Sequence, residues 1–122
     1  RRAILNYGHT LAHALEIATD HRLAHGEAVA IGLIYAALLA EHLGRIDDVR
    51  VAEHLTVVRD AYGLDATLPA GLDPDLLVGL MARDKKVRSG GLTFVLDGPA
   101  GVEVVAGVDP DTARTVLARM AR

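Results

Sequence analysis

The stretch AVAIGLIYAALLA, residues 28–40, constrains the fold most strongly, because it is a long apolar run without a charged residue. Glu27 and Glu41 stand on either side of it. A helix that crosses a bilayer needs about 20 apolar residues, so this run is too short to span a membrane. A helix that is apolar on all sides must instead be buried among other elements. We therefore expect a central helix in a packed globular domain, with no membrane association.

The segments around this helix show helical patterns of their own. Residues 7–19 place Leu11, Ala14, Leu15 and Ala18 at three- and four-residue spacings, which predicts a first helix. The polar segment 19–26 is a connection, and the central helix is expected from about Gly26 to Leu43, with Gly44 as its left-handed C-terminal cap. A third helix is predicted over residues 47–62. Asp47 is its N-cap, and its expected apolar stripe is Val51, Leu55, Val58 and Ala61.

The second half of the chain predicts two more helices and one hairpin. A Gly/Pro/Asp loop at 63–75 leads to a helix at 74–86, which has Pro74 at its first position. Two β-branched runs around GPAG predict a hairpin near residues 92–106. Asp109-Pro110 opens a last helix whose apolar residues are Val116, Leu117 and Met120. The predicted fold is mainly α: one domain, a helical bundle with one small β-hairpin.

Composition narrows the class of protein. The chain has 122 residues and only 3% aromatic residues, so its core must be built from Ala, Val, Leu and Ile. It has no cysteine, which excludes disulfides and thiolate metal sites and fits a cytoplasmic location. The net charge is −3 and the basic residues are scattered, so we expect no nucleic-acid partner. Arg1-Arg2 leads into the first helix without an apolar leader, so we expect no signal peptide.

Three histidines are the candidate metal ligands. His9 and His13 are four residues apart, so they share one helix face and are able to approach one ion. The alternative is a helix face with two hydrogen-bonded histidines. His25 opens the HGE sequence before the central helix, and a helical hairpin would bring it toward His9. Glu27 is expected to complement the helix dipole, and the remaining histidines, His21, His42 and His54, are expected on the surface.

Two further clusters are candidates for binding anions. Arg2 and Asn6 are four residues apart on the approach to His9, and an Arg fork beside an amide suits an anion or a hydroxyl group. The alternative is a solvated Arg and an Asn cap. The RDKK sequence at 83–86 places Lys85 and Lys86 before the hairpin, where one of them is able to reach a phosphate or carboxylate. Its alternative is a solvated helix end that complements the dipole.

These residues form a pattern that resembles a known family. RAILNYGHTLAHALE, HGEAVAIGL and DKKVRSGGLTFVL occur in this order, and together they resemble the C-terminal half of 3-dehydroquinate synthase. Tyr7 stands where Phe is common, and Ala12 stands where Gly is often found between the two histidines. The resemblance implies an enzyme of the shikimate pathway that converts 3-deoxy-arabino-heptulosonate 7-phosphate into 3-dehydroquinate and phosphate. It also implies bound NAD and a divalent metal, zinc or cobalt.

The resemblance assigns roles residue by residue. His9 and His25 match the two histidine metal ligands, and His13 matches a catalytic residue that faces the substrate. Arg2 and Asn6 match substrate-binding positions. Either Lys85 or Lys86 matches a position that binds carboxylate or phosphate.

The same resemblance implies what lies outside this chain. The NAD-binding domain and a glutamate metal ligand belong to an N-terminal region, so residues 1–122 are expected to be a C-terminal helical domain that binds metal and substrate. The partner is expected to be a small sugar-acid phosphate, and the full-length enzyme is expected to be a homodimer. Two alternatives remain open: a sister sugar-phosphate cyclase, such as 2-deoxy-scyllo-inosose synthase or a valiolone synthase, and a non-catalytic helical interaction module.

Overall fold

The computed structural model describes residues 7–63, 67–84 and 91–120. Within these ranges it contains five helices and one two-stranded antiparallel sheet, which confirms the predicted mainly helical fold with a single hairpin. The elements are α1 (His9–Ala18), α2 (His25–His42), α3 (Asp48–Tyr62), α4 (Pro74–Asp84), β1 (Leu92–Leu96), β2 (Glu103–Val108) and α5 (Pro110–Met120).

Helix α2 lies at the centre of the fold, as its uncharged apolar run predicts. It packs against α1, α3, α5 and β1, so it is covered from several sides. Tyr35 of α2 is 1% exposed, and its hydroxyl donates a hydrogen bond to the Ala113 carbonyl at 2.9 Å. That bond satisfies the polar end of a buried aromatic residue and ties α2 to α5. In the described part of the chain, no helix is both long and apolar enough to cross a membrane.

A close contact between two glycines sets the position of α1 on α2. A Cβ added at Gly32 of α2 would lie 2.0 Å from the Gly8 carbonyl oxygen, so the backbones touch where a side chain does not fit. Gly8 is also the N-cap of α1 and has a φ of 81°, which favours glycine. The start of α1, which carries His9, is therefore held directly against the central helix.

Helix α3 begins as predicted, but its buried face differs from the predicted stripe. Asp47 caps the helix, since its side chain accepts a hydrogen bond from the Arg50 N–H at 2.9 Å. Val51 and Val58 are buried, whereas Leu55 is 39% exposed and Ala61 is exposed, so the prediction is wrong for those two residues. At about 100° per residue, Val51 and Val58 lie on nearly one line, and Leu55 and Ala61 turn away to opposite sides of it.

The hairpin and α5 close the other side of the core. Phe94 pairs with Val105 and Leu92 with Val108, with an irregularity between these two pairs. Gly107 lies opposite this irregularity with a φ of 73°, and a Cβ added at Gly91 would come within 2.5 Å of it. The apolar residues predicted for the last helix, Val116, Leu117 and Met120, are all buried.

Candidate functional site

The structure describes three of the seven predicted site residues. His9 is the first residue of α1 and is partly buried, and His13 is exposed one turn further along the same helix. His25 is the first residue of α2, and its side chain is 73% exposed. The other four, Arg2, Asn6, Lys85 and Lys86, lie outside the described residues.

A carboxylate that the sequence analysis did not single out lies beside these histidines. Glu16 follows His9 by seven residues and His13 by three, so all three side chains project from one face of α1. The Glu16 side chain is only 18% exposed. Its helical spacing from the two histidines is the signal that would have identified it, because i, i+4 and i+7 define one helix face.

Glu16 contacts the third histidine across the connection between α1 and α2. One Glu16 carboxylate oxygen, Oε2, lies 2.9 Å from His25 Nδ1. A carboxylate only accepts hydrogen bonds, so Nδ1–H is the donor, and in the neutral ring Nε2 carries the free lone pair. The hydrogen bond from His25 lowers the pKa of the Glu16 carboxyl; burial opposes this shift, and the charges of His25, His13 and His21 add to it. The helical hairpin thus brings His25 against Glu16, on the face of α1 that also carries His9 and His13.

The segment just before His9 is anchored by a histidine that was expected on the surface. The His54 side chain is 11% exposed, so that expectation is wrong. His54 Nδ1 donates to the Arg50 carbonyl at 2.8 Å, which leaves Nε2 to accept a hydrogen bond from the Tyr7 hydroxyl at 2.6 Å. Burial raises the pKa of Tyr7, the nearby Asp97 charge raises it further, and Arg50 opposes the shift. Helical periodicity places His54 and Leu55 at similar angles on opposite sides of the line through Val51 and Val58, and the packing of α3 turns the His54 side toward the core.

A buried carboxylate joins α3 to the hairpin. Asp97 is 2% exposed, and its Oδ2 accepts a hydrogen bond from Arg50 Nε at 2.6 Å. Burial alone would raise the pKa of this carboxyl, but the hydrogen bonds from Arg50 and from the Gly98 N–H hold the pKa below its ordinary value. Arg45 donates to the Asp97 carbonyl at 3.0 Å and also pairs with Glu103. A cavity of about 640 Å³ opens here, but carboxylates engage both of its arginines, so it offers little uncompensated positive charge to an anion.

The predicted metal ligands His9 and His25 carry donor atoms of a type that metal ions bind. Within the described residues, no group of three or more His, Cys, Asp or Glu side chains is arranged to hold a metal ion. His9 and His25 are imidazoles at the starts of two packed helices, and the neutral form of His25 that donates Nδ1–H to Glu16 leaves its Nε2 unprotonated. Neutral imidazole with its second nitrogen hydrogen-bonded to a carboxylate is a common arrangement for a metal-binding histidine. That His9 and His25 bind one metal ion stays a prediction, and such a site would need at least one further ligand.

Comparison with solved structures defines the class of protein. The fold matches 2-deoxy-scyllo-inosose synthase complexed with carbaglucose-6-phosphate, NAD⁺ and Co²⁺, with a TM-score of 0.81 and 27% identity, over 96% of this chain and 33% of that chain. It also matches 2-epi-5-epi-valiolone synthase from Streptomyces hygroscopicus subsp. jinggangensis 5008 with NAD⁺ and Zn²⁺ bound. There the TM-score is 0.75 at 26% identity, over 94% of this chain and 32% of that chain. The fold is therefore that of one region of the sugar-phosphate cyclases.

Sequence comparison identifies the family. The profile of the 3-dehydroquinate synthase C-terminal family matches residues 1–87, and the chain belongs to this family. It is 58% identical to a putative aminodehydroquinate synthase of Amycolatopsis mediterranei (strain S699), over 99% of this chain and 34% of the relative. It is 43% identical to the 3-dehydroquinate synthase of Symbiobacterium thermophilum, over 99% of this chain and 34% of the relative. The chain thus spans about a third of the length of the curated relatives it matches.

Proposed function

We propose that this chain is the metal- and substrate-binding part of a 3-dehydroquinate synthase. The complete enzyme would convert 3-deoxy-arabino-heptulosonate 7-phosphate into 3-dehydroquinate and phosphate, in the shikimate pathway that leads to aromatic amino acids. The family match over residues 1–87 and the relatives of the same name, including one from Nocardia farcinica at 46% identity, support this assignment.

The observation that carries the proposal is the contact between the HxxxH helix, α1, and the HGE segment at the start of α2. His25 hydrogen-bonds through Nδ1 to Glu16, which leaves Nε2 of the neutral ring unprotonated. Glu16 lies on the face of α1 that also carries His9 and His13. We assign His9 and His25 as metal ligands and His13 as the catalytic residue that contacts the substrate. Arg2 and Asn6 are assigned to bind the substrate, and one of Lys85 and Lys86 is assigned to bind its carboxylate or phosphate, because a fixed cation offsets such a charge.

The chemistry explains why these residue types are needed. When bound, NAD would supply reversible hydride transfer at a substrate alcohol, with the hydride returned within one turnover, and a divalent ion, zinc or cobalt, would supply Lewis-acid chemistry at the substrate hydroxyls. The residues of this chain hold the substrate in one geometry while the phosphate leaves by elimination. His13 is exposed on the face that carries His9, so its ring is accessible to exchange a proton with a bound molecule.

The complete enzyme requires groups from outside this chain. We propose that an N-terminal domain supplies the NAD site and a glutamate as the third metal ligand. We further propose that the complete enzyme is a cytoplasmic homodimer. Two structural relatives of similar fold were solved with NAD⁺ and with Co²⁺ or Zn²⁺, which supports this choice of cofactors.

A second candidate activity rests on one observation, the 58% identity to a putative aminodehydroquinate synthase. The substrate would then carry an amino group where the dehydroquinate precursor carries a hydroxyl. This identity is higher than the 43% and 46% to two 3-dehydroquinate synthases, so the amino substrate must be tested alongside the hydroxyl one. The inosose and valiolone synthases are 27% and 26% identical, which makes their substrates less favoured.

The test uses the full-length protein with both heptulosonate phosphates, supplied separately and in competition. Phosphate release and product mass are measured with NAD and zinc or cobalt present. We expect turnover of at least one substrate, and the ratio of the two kcat/KM values decides between the candidate activities. His9→Ala and His25→Ala should each remove most bound zinc, whereas His13→Ala should keep zinc and lose turnover. Negligible metal affinity and no turnover would instead support the non-catalytic module.

A further inference from the structure

We propose that Glu16 is a positioning residue that orients His25 for metal binding. This inference rests on the proposed function, because it takes His25 to be a metal ligand. It goes further by assigning a role to a residue outside the three motif histidines and the anion-binding cluster.

The two side chains differ in how firmly the fold holds them. Glu16 lies in the second half of α1 and is 18% exposed, so the helix and its neighbours restrict its conformations. His25 is the first residue of α2 and is 73% exposed, so packing restricts its ring little. The 2.9 Å hydrogen bond between them therefore fixes, relative to α1, a ring that packing restricts little.

The hydrogen bond also selects the chemical form of the ring. The carboxylate accepts the Nδ1 proton, and the neutral imidazole then presents an unprotonated Nε2. Binding through Nε2 requires this tautomer, and a hydrogen bond on the opposite nitrogen raises the basicity of the ligating one. Without Glu16, the ring would divide between two tautomers and several rotamers, and only a fraction would be ready to bind.

A purely structural role for this pair predicts a different result. A hydrogen bond to a side chain as exposed as that of His25 stabilises a fold little, so its loss should hardly change thermal stability. A positioning role predicts that metal affinity falls while stability stays the same. The two explanations are therefore separated by measuring both quantities on the same variants.

The experiment compares Glu16→Ala, Glu16→Gln, His25→Ala and a control, Glu41→Gln, in the full-length protein. Glu41 lies on α2, sixteen residues beyond His25, or about 24 Å along the helix. Zinc affinity is measured by competition with a chromophoric chelator, and the ligand field is measured from the visible spectrum of the Co²⁺ form. Thermal unfolding of the metal-free proteins is recorded in parallel.

We expect Glu16→Ala to weaken zinc binding about 10–100-fold and to alter the Co²⁺ spectrum, with unchanged thermal unfolding. Glu16→Gln should lose less, because its amide oxygen still accepts the Nδ1 proton, and Glu41→Gln should match the unmodified protein. If His25→Ala loses zinc while Glu16→Ala binds it normally, the positioning role is wrong and the proposed function stands. If Glu16→Gln loses as much zinc as His25→Ala, Glu16 is itself a ligand and the positioning role is overturned. If His25→Ala binds zinc normally, the metal site is misassigned and both proposals fall.

Discussion

Replacing Tyr7 with phenylalanine should destabilise the fold because it removes the hydrogen bond from the Tyr7 hydroxyl to His54. The Tyr7 hydroxyl is the donor to His54 Nε2 at 2.6 Å, and His54 Nδ1 is already committed to a backbone carbonyl. The His54 side chain is 11% exposed, so water replaces the missing donor poorly. An unsatisfied buried polar atom costs about 1–3 kcal/mol, and the partial exposure places the expected loss of unfolding free energy at about 1–2 kcal/mol.

A double-mutant cycle with His54→Leu isolates this hydrogen bond. Each single variant leaves one polar atom without its partner, whereas the double variant removes both, so the two losses should be non-additive by about 1 kcal/mol. Unfolding of the chain in urea, followed by circular dichroism, gives the four free energies. Tyr35→Phe is the matched control. Its hydroxyl donates to the Ala113 carbonyl instead, so its loss should simply add to that of His54→Leu.

The result that would refute this reasoning is an additive cycle. If the Tyr7→Phe and His54→Leu losses sum to that of the double variant within about 0.3 kcal/mol, the two groups do not interact energetically. The same conclusion would follow if Tyr35→Phe showed a coupling to His54→Leu of equal size.

Three further predictions concern the pH dependence, the helix contact and the isolated chain. The pKa of Asp97 is lower in the folded state than in the unfolded state, so the ionised carboxylate stabilises the fold. This stabilisation is fully present above the unfolded carboxyl pKa of about 3.9 and is lost as the pH falls through the folded value. Asp97→Asn should therefore lower the free energy of unfolding by about 1–2 kcal/mol at neutral pH. It should also flatten the acid side of a plot of the urea midpoint against pH, and an unchanged plot would contradict this. Gly32→Ala should lower the free energy of unfolding in urea by about 1–3 kcal/mol or more, because the added Cβ meets the Gly8 carbonyl. Gly79→Ala is the control: it has open space around it in α4 and should raise the free energy of unfolding by about 0.5–1 kcal/mol. Equal effects of the two substitutions would refute the contact between Gly32 and Gly8. The isolated 122-residue chain should show no synthase turnover, no NAD binding and only weak zinc binding by calorimetry, and turnover near that of a full-length synthase would show that it holds a complete site.

Much of the secondary structure could be predicted from short stretches of sequence. The uncharged run at 28–40 required a buried helix, Asp47 marked a helix start, and Gly44 marked a helix end with its φ of 75°. The GPAG turn between two β-branched runs predicted the hairpin. These features are local: the hydrogen bonds, caps and φ angles involved lie within a few residues of one another.

The long-range contacts around the candidate site could not be predicted in the same way. The hydrogen bond between Tyr7 and His54 and the pair between Arg50 and Asp97 each join residues 47 positions apart. Which face of α3 is buried decides whether His54 or Leu55 points inward, and helical periodicity alone allows either.

The sequence by itself determined the helices, the hairpin and the HxxxH and HGE motifs, because each depends on residues close together in the chain. Only the tertiary structure decided that Glu16 holds His25 and that His54 holds Tyr7. Those contacts exist because α1, α2 and α3 pack at particular distances, such as the touching backbones of Gly8 and Gly32. The packing of whole helices, rather than the preference of any one residue, sets which side chains meet.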